Sequence, residues 1–559
     1  MPKFTMPIGK SDFAKVRTAG DYYIDKTMLI EQITASGAEV TLFTRPRRFG
    51  KSLNMSMLQH FFDCREKSES LFEGLAISKN KTLCDNWMNQ YPTILVSFKT
   101  VEATNFQDAV AQLKLVLADL FRSHIYLLDD ENVDEDDVNK FKRIKSETPQ
   151  KSDMMDSLSL LTRLLYTHHG NKPVILLIDE YDVPMAKGDA HGYYGDIINI
   201  MRSMYNKALK DNPYIKFAVL TGCLRIAKES IFTGLNNPKI YSILDYGFQE
   251  YFGFTNSEID RLLADTGFTE YKEKIKQWYD GYRFGDTDIY CPWDVLNYIS
   301  DLQQKAGVDP NNYWANTSGN EIIRKYLESE NVNPNSDFET LLAGRCIKKT
   351  IAKDITYENL LSSEENFWSV LLMTGYLTVV PEDEVNAEDI SSDADGLYLR
   401  LVNNEIMELF SRTVVSWFKN KMLKEDRTEL FKAIWNGDTD TITDELCGFL
   451  GDSISYYDYH EIFYHAFLTG LFSGVKGISV KSNSETGTGR ADVVLQYPRK
   501  GLVAIFEFKS AKSEAAMSKR CDEALKQIDV NKYSFPFRKN TIFKYGIAFF
   551  EKQCLVKKG

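Results

Sequence analysis

The most constraining feature of the sequence is an uninterrupted apolar run that ends in two acidic residues. It reads Pro173-Val-Ile-Leu-Leu-Ile178 and is followed directly by Asp179 and Glu180. A run without polar alternation is typical of a parallel strand that a sheet buries on both faces. Parallel strands need crossover connections, usually helices, so this run favours an α/β fold.

Other segments of the first 255 residues fit the same fold. Their patterns predict strands at 40–44, 93–98 and 215–220, and helices at about 51–63, 105–123 and 152–168. Strands that alternate with helices predict a doubly wound α/β domain. The acidic stretch 129–137 is predicted to be a solvated loop.

Composition restricts the class of protein. The 559 residues are too many for one ordinary core, and the mixture of 43% hydrophobic and 26% charged residues is that of a soluble globular chain. A net charge of −12 excludes a basic coat for nucleic acid, although a local basic groove stays open. The eight cysteines form no Cys-x-x-Cys pair, which disfavours zinc and indicates reduced thiols. Without a signal core or a membrane-spanning apolar run, we expect a cytoplasmic protein with no membrane partner.

A glycine loop follows the first predicted strand. Residues 44–52, Thr-Arg-Pro-Arg-Arg-Phe-Gly-Lys-Ser, end in the Gly-Lys-Ser of a phosphate-binding loop at the start of a helix. Backbone N–H groups and the helix dipole attract phosphate there, Lys51 is expected to reach the β- and γ-phosphates, and Ser52 to hold Mg²⁺. Arg45 occupies the position of the motif's first glycine. The residues predicted to bind nucleotide in this loop are Arg48, Phe49, Gly50, Lys51, Ser52 and Leu53.

The end of the apolar run supplies the second half of a nucleotide site. Asp179 is predicted to bind Mg²⁺ and Glu180 to orient or deprotonate the attacking water, unless both are acidic residues that end a strand at the surface. Thr221, which closes the strand after it, is a candidate sensor of the γ-phosphate. ATP and Mg²⁺ are the predicted cofactors. Contact with phosphate or with solvent is left open for four basic residues: Arg47, Arg48, Arg225 and Lys228.

A second motif lies near the C-terminus. Asp492 begins one predicted strand, and Glu507-Phe508-Lys509 ends the next. The period of two in a strand places Glu507 and Lys509 on one face, and an antiparallel turn near 498–501 would bring Asp492 beside them. Two carboxylates that hold Mg²⁺ and a lysine that positions water are typical of phosphodiester hydrolysis. Asp492, Glu507 and Lys509 are therefore predicted to be catalytic, and an ordinary strand edge is the alternative.

Several weaker candidates surround that motif. Glu461 is predicted to be a further metal ligand, with a helix-surface role as the alternative. His465, four residues later, is expected to be a packed or surface histidine, and Glu485 to lie in a polar loop. Gln527 and Tyr533 are similar to the Gln…Tyr element that supports such sites.

Four further segments carry a family resemblance: 22–27, 45–52, 224–230 and 278–282 (Tyr-Tyr-Ile-Asp-Lys-Thr, Arg-Pro-Arg-Arg-Phe-Gly-Lys-Ser, Leu-Arg-Ile-Ala-Lys-Glu-Ser and Trp-Tyr-Asp-Gly-Tyr). With them the chain resembles AAA-ATPase-like proteins of gut and anaerobic bacteria that end in a PD-(D/E)XK nuclease-like domain. The resemblance implies an ATPase core whose sensor strand lies between the phosphate-loop strand and the Asp179 strand. It also implies that a missing first glycine is usual.

These observations lead to one architecture. We expect an AAA-like P-loop ATPase domain at 1–255, a largely helical middle region at 256–440, and a restriction-endonuclease-like α/β domain at 441–559. Polar segments at 329–338 and 382–396 are predicted to be surface loops. The expected function is ATP hydrolysis coupled to Mg²⁺-dependent cleavage of nucleic acid, with DNA favoured. The alternatives are a nucleotide-switched protein that binds nucleic acid without cutting it, and an ATPase with a structural C-terminal domain; a homo-oligomer is left open.

Overall fold

The structure is a computed structural model that describes residues 4–130, 133–224, 238–314, 335–352, 355, 363–386, 395–422, 425–453, 461–486, 489–550 and 553–559. The fold is mixed α/β, as predicted, with a parallel sheet in the N-terminal part, helices in the middle and a mixed sheet at the C-terminal end.

A five-stranded parallel sheet forms the N-terminal part. Its strands are β1 Val40–Thr44, β2 Thr93–Ser97, β3 Val174–Asp179, β4 Ile215–Gly222 and β5 Pro238–Tyr241, in the order β2-β3-β4-β1-β5. All neighbouring pairs are parallel. Every residue of β1 and β3 is buried, which explains the absence of polar alternation in their sequences. Strand β4 lies between β1 and β3, as the family resemblance implies.

Ten helices of the described chain connect and cover these strands. They are α1 Phe13–Thr18, α2 Leu29–Ala35, α3 Lys51–Phe62, α4 Glu69–Phe72, α5 Lys81–Trp87, α6 Phe106–Arg122, α7 Glu135–Lys145, α8 Lys151–His168, α9 Val183–Ala190 and α10 Tyr194–Leu209. The prediction of a loop over 129–137 is wrong at its end. The Asp134 side chain caps α7, whose first turn holds the acidic residues and whose last turn is basic, in accord with the helix dipole.

The middle region contains more strand than the sequence predicts. Its helices are α11 Asn256–Thr266, α12 Lys272–Tyr279, α13 Pro292–Gln304, α14 Asn335–Leu342, α15 Glu364–Thr374, α16 Asn404–Met422 and α17 Thr428–Asn436. A hairpin joins β6 Tyr282–Phe284 to β7 Thr287–Ile289, and an antiparallel sheet has the order β8-β10-β9, with strands Ile347–Lys349, Leu397–Leu401 and Leu377–Val380. The predicted loop at 329–338 is wrong from residue 335 onward, where α14 begins.

A second five-stranded sheet forms the C-terminal part, in the order β11-β12-β13-β14-β15. Its strands are Ser479–Thr486, Gly489–Tyr497, Leu502–Ser510, Thr541–Phe550 and Gln553–Lys558, and its helices are α18 Thr439–Ser453, α19 Glu461–Phe472 and α20 Glu514–Val530. Only β13 and β14 pair in parallel, as expected for two strands joined through α20. Strands β12 and β13 correspond to the two strands that the sequence analysis predicts around Asp492 and Glu507-Phe508-Lys509.

One hydrophobic cluster extends through all three parts of the chain. It includes Leu42 of the first sheet, Trp368 of the middle region and Phe506 of the last sheet, each at most 1% exposed. No described helix is both long enough and apolar enough to cross a membrane.

Candidate functional site

The phosphate loop joins β1 to α3 and surrounds the amino group of Lys51. Gly50, which precedes α3, has φ = 82°, a left-handed conformation that glycine adopts without steric cost. Lys51 Nζ donates hydrogen bonds to the carbonyl oxygens of Arg45 at 3.1 Å and Pro46 at 3.0 Å. The loop thus curls over the lysine and holds its charge where phosphate is expected.

Asp179 is the centre of a hydroxyl network beneath this loop. Ser52 Oγ and Ser97 Oγ donate to Asp179 Oδ2 at 2.7 Å and 3.2 Å, and Thr221 Oγ1 donates to Oδ1 at 2.6 Å. A hydroxyl and a carboxylate side by side are the hard oxygen ligands that suit Mg²⁺, so Ser52 and Asp179 fit the ion. The sequence analysis missed Ser97. It ends β2 and pairs in register with Asp179, but only the strand order reveals that β2 is the neighbour of β3.

Glu180 has a strained backbone next to the lysine. Its φ is 52°, a conformation that costs a non-glycine residue roughly 1–3 kcal/mol and often marks a functional position. Its Oε1 lies 3.8 Å from Lys51 Nζ. Burial opposes the charge of Lys51, but Cys223 and then Glu180 raise the pKa of the amine above its ordinary range. The lysine is therefore cationic, and Glu180 is the nearest carboxylate to balance it.

Asp182, to which the sequence analysis assigns no role, ties two strand ends together. Its Oδ2 accepts hydrogen bonds from the backbone N–H groups of Cys223 at 2.9 Å and Leu224 at 3.0 Å, just beyond β4. Burial first, and then the charge of Glu180, raises the pKa of this carboxyl. A Cβ on Gly222 would lie 2.5 Å from the Tyr181 ring, so the close approach of these two segments depends on glycine.

Arg45 fixes the loop where the usual glycine is missing. The residue is fully buried, and Nη1 donates to the carbonyl oxygens of Thr44 at 2.9 Å and Tyr241 at 2.8 Å. The guanidinium lies 5.3 Å and 5.0 Å from the ring centroids of Phe252 and Phe284, within cation–π distance. Burial lowers the pKa of Arg45 to about 9. A packed side chain thus replaces the conformational freedom of glycine.

The next loop residues contact the middle region. Arg48 has φ = 72°, donates from Nη1 to the carbonyl oxygen of Tyr313 at 2.5 Å, and lies 4.3 Å from the Trp293 ring centroid. Phe49 packs edge-on against Tyr282, with 4.7 Å between ring centroids. A change in the conformation of the loop would therefore alter its contacts with the segments 282–284 and 292–314.

Asp492, Glu507 and Lys509 come together on β12 and β13. The backbone N–H of Asp492 donates to Glu507 Oε2 at 3.4 Å, and the N–H of Phe508 donates to Asp492 Oδ2 at 3.0 Å. Lys509 Nζ lies 3.5 Å from Glu507 Oε1. The pairing of β12 with β13 is antiparallel across the turn at Pro498–Lys500, as the spacing predicts.

Glu507 is almost fully enclosed. Its side chain is 1% exposed, and burial, followed by the charge of Asp492, raises its pKa. A divalent cation would offset both effects, and two carboxylates are suitable ligands for it. No three His, Cys, Asp or Glu side chains cluster in a metal-binding arrangement within the described residues.

Other predicted residues are not brought into this site by the described atoms. Helix α19 packs against β12, but the side chains of Glu461 and His465 lie outside the described residues. The side chain of Glu485 also lies outside them, as do Arg225 and Lys228. Tyr533 is buried in a small separate core cluster, which accounts for it without a catalytic role.

Comparisons with known proteins match two separate segments of the chain. Residues 7–232 match the family model described as "Predicted AAA-ATPase", and residues 459–559 match that of the "PD-(D/E)XK nuclease superfamily". An "Uncharacterized protein in vnfD 5'region" of Azotobacter chroococcum mcd 1 is 24% identical over 559 residues, covering 96% of this chain and 94% of that protein. The chain joins an AAA-ATPase-like segment to a PD-(D/E)XK nuclease-like segment. The predicted family resemblance is confirmed.

A cavity of about 520 Å³ opens beside the phosphate loop, and the AAA-ATPase-like segment supplies only part of its wall. This volume is in the range of pockets that bind small ligands. The basic residues that line it are Lys10, Lys26, Arg47, Arg48, Lys51 and Lys99, and Glu102 and Glu180 line it as well. Its lining also includes the apolar residues Pro7, Ile8, Ile24, Phe254, Trp293 and Leu296, of which the last three lie beyond the matched segment.

Proposed function

We propose that the chain binds and hydrolyses ATP with Mg²⁺ at the phosphate loop, and that its C-terminal domain cleaves DNA with Mg²⁺ under control of the nucleotide state. The observation that carries the proposal is the Ser52–Asp179–Thr221 network, which lies directly under Lys51 and beside the cavity. The proposal includes three domains, at 1–255, 256–440 and 441–559.

In the ATP site each side chain has a separate task. Lys51 and the loop N–H groups bind the phosphates, and Ser52 and Asp179 hold Mg²⁺, which neutralises phosphate charge. Glu180 lies beside the lysine. Its task is to accept a proton from the attacking water or to orient that water. Thr221 holds Asp179 in place from the neighbouring strand. The apolar residues that line the cavity suit a nucleobase, and its basic residues suit a triphosphate.

In the nuclease-like site three side chains have tasks. Asp492 and Glu507 would hold Mg²⁺, which polarises a phosphodiester oxygen. Lys509, whose amine lies 3.5 Å from Glu507, is placed to orient water and to offset developing negative charge.

One observation favours the alternative of a protein that binds nucleic acid without cutting it. Glu507 is 1% exposed, so metal and substrate need an opening before they reach both carboxylates. A domain that never opens would bind and not cleave. Nucleotide-dependent opening reconciles this burial with catalysis.

The test measures phosphate release and the cleavage of linear, circular and single-stranded DNA and of RNA, with ATP and Mg²⁺ each omitted in turn. Lys51→Ala should abolish ATP hydrolysis and alter the cleavage rate, whereas Lys81→Ala, at an exposed lysine of α5, should leave both unchanged. Equal cleavage with ATP, without ATP and in Lys51→Ala would refute the gating.

A second pair of variants separates cutting from binding. Asp492→Ala should lose cleavage and keep DNA binding, and Asp383→Ala, at an exposed carboxylate of the middle region, should retain both. A wild-type protein that binds every substrate and cuts none with Mg²⁺ and ATP would establish the non-cutting alternative.

A further inference from the structure

Two cysteines of the C-terminal part face each other across a helix and an edge strand. Cys447 lies on α18 and Cys554 on β15, and their sulfur atoms are 3.6 Å apart. Helix α18 packs along β15, so the two thiols belong to one contact between elements. Both cysteines are free. A sulfur–sulfur distance of this size needs only a small adjustment of side-chain torsions to form a bond.

The two thiols differ in chemical character. Cys447 is partly accessible, and its sulfur accepts a hydrogen bond from the backbone N–H of Cys554 at 3.3 Å. The hydrogen bond from the Cys554 side chain lowers the pKa of Cys447 to about 6. Cys554 is 4% exposed, and its contact with Cys447 and its burial raise its pKa well above the ordinary value. One sulfur is therefore partly accessible with a lowered pKa and the other is buried with a raised pKa, which is the difference expected between an attacking and a resolving cysteine.

We propose that Cys447 and Cys554 form a reversible oxidation site that closes to an intramolecular disulfide when a hydroperoxide reacts with Cys447. The thiolate attacks the terminal peroxide oxygen, so an S–O bond forms and the O–O bond breaks. The released alkoxide or hydroxide becomes an alcohol or water by taking from solvent the proton that the Cys447 thiol had lost. The Cys554 sulfur then attacks the Cys447 sulfur, the S–S bond forms, and the hydroxyl leaves as water with the Cys554 proton. The two thiols lose two electrons in total, and the hydroperoxide gains them.

The closed loop includes the nuclease-like site. The two cysteines are 107 positions apart, and Asp492, Glu507 and Lys509 all lie between them. A crosslink over so long a loop restricts the unfolded chain strongly. It also fixes α18, which directly precedes the segment leading to α19, against the last strand. The oxidised protein should thus have a more rigid C-terminal domain, whether or not the proposed nuclease activity is correct.

A third cysteine provides a matched control. Cys521 on α20 is fully buried, donates from Sγ to the carbonyl oxygen of Leu555 at 3.1 Å, and has a pKa that burial raises to about 11. It is close to β15 but has neither the thiolate character of Cys447 nor its accessibility. Cys521→Ser therefore changes a neighbouring thiol without changing the proposed pair.

The test uses the full-length reduced protein, treated with hydrogen peroxide or tert-butyl hydroperoxide and alkylated under denaturing conditions. Wild type and Cys521→Ser should carry two alkyl groups fewer than the same protein without peroxide, regain them when a dithiol is added before alkylation, and give a crosslinked peptide pair that contains residues 447 and 554. Cys554→Ser should instead keep a sulfenic acid at Cys447 that dimedone traps. Oxidised wild type should unfold at a higher temperature than reduced wild type.

Three results would overturn the proposal. They are two free thiols at 447 and 554 after treatment of the wild type, a disulfide that persists in Cys447→Ser, and a crosslink that joins two separate chains. Because the peptide map of the wild type decides the pairing, the proposal stays testable even if a serine variant does not fold.

Discussion

Arg45 shows how one side chain can hold a phosphate loop that lacks its usual first glycine. A phosphate loop normally has glycine there, because the backbone must turn tightly around the phosphates. Here a buried guanidinium bonds to two carbonyl groups and packs between two aromatic rings, while its Nε and Nη2 have no hydrogen-bond partner among the described atoms. The packing and the two hydrogen bonds of this residue stabilise the loop, whereas the burial of its charge destabilises it.

This balance gives different expectations for two substitutions. Arg45→Ala leaves a cavity and should destabilise the N-terminal domain by about 3 kcal/mol, whereas Arg45→Met keeps volume, removes the desolvated charge and should cost only about 1 kcal/mol. The thermal midpoint of the first unfolding transition measures both, and nucleotide affinity should fall in the same order. Equal losses in the two variants would show that the hydrogen bonds, which both remove, and not the packing hold the loop.

Glu180 is expected to matter for hydrolysis and not for binding. Glu180→Gln keeps the size of the side chain and removes its basicity, so the turnover of ATP should fall by about 10²–10⁴-fold. Binding of a fluorescent ATP analogue should be retained or strengthened, because one negative charge beside Lys51 is lost. Unchanged phosphate release in this variant would assign the water-positioning role to another residue.

Among the helices and strands, the sequence predicts those that follow from one local pattern of apolar and polar residues. Strand β3 is apolar up to its final Asp179, and β1 has only two threonines among its apolar residues, so both patterns predict buried strands. Strand β8 has only three residues, and β15 alternates exposed and buried positions beside a charged end, so neither has a strong local signal. Strand β8 pairs with β10, about 50 residues further along the chain, and no local pattern specifies that pairing. Strand β15 pairs with β14, which directly precedes it, so only its own weak pattern hides it.

The contact between the β6 hairpin and the segment before α16 depends on one glycine. Gly281 has φ = 95°, and a Cβ there would lie 2.1 Å from the carbonyl oxygen of Val402. Asn403 Nδ2 also donates to the carbonyl oxygen of Asp280 at 2.8 Å, so the two backbones are held in direct contact.

Gly281→Ala should therefore destabilise the middle region by about 3 kcal/mol or more, since it adds a backbone clash to the penalty of a positive φ. Gly307→Ala is the matched control, because Gly307 has φ = 81° with nothing within 4 Å of a Cβ, and should cost only about 1 kcal/mol. Thermal unfolding of both variants measures the difference, and equal losses would mean that the segment 402–403 moves aside freely.

For the whole molecule, the structure supplies what separate motifs could not. The sequence predicts Lys51, Asp179, Asp492 and Glu507 from spacing, and the structure brings each set together. The sequence could not predict that the phosphate loop contacts the middle region, because no sequence pattern marks Arg48 and Phe49 as residues that make this contact. A continuous series of contacts now leads from one site towards the other.

The contacts can be followed step by step. Arg48 bonds to the carbonyl oxygen of Tyr313, and the N–H of the next residue, Trp314, donates to the fully buried Glu405 at 2.7 Å. Glu405 lies in the first turn of α16, which packs against α19. Phe472, the last residue of α19, lies 4.9 Å from Phe506, the neighbour of Glu507 in β13. Such contiguity permits coupling between the two sites.

Hydrogen exchange measures that coupling directly. In Glu180→Gln, which should bind ATP and Mg²⁺ without turnover, a hundredfold excess over Kd stabilises the bound state by about 2.7 kcal/mol. We expect slower exchange not only in α3 and β3 but also in α16 and α19, because the loop that binds phosphate contacts the segment that holds Glu405. The double variant Glu180→Gln, Lys51→Ala should show none of these changes. Protection confined to residues 7–232 would mean that the two sites share a chain without sharing a conformational equilibrium, and the gating would have to be abandoned.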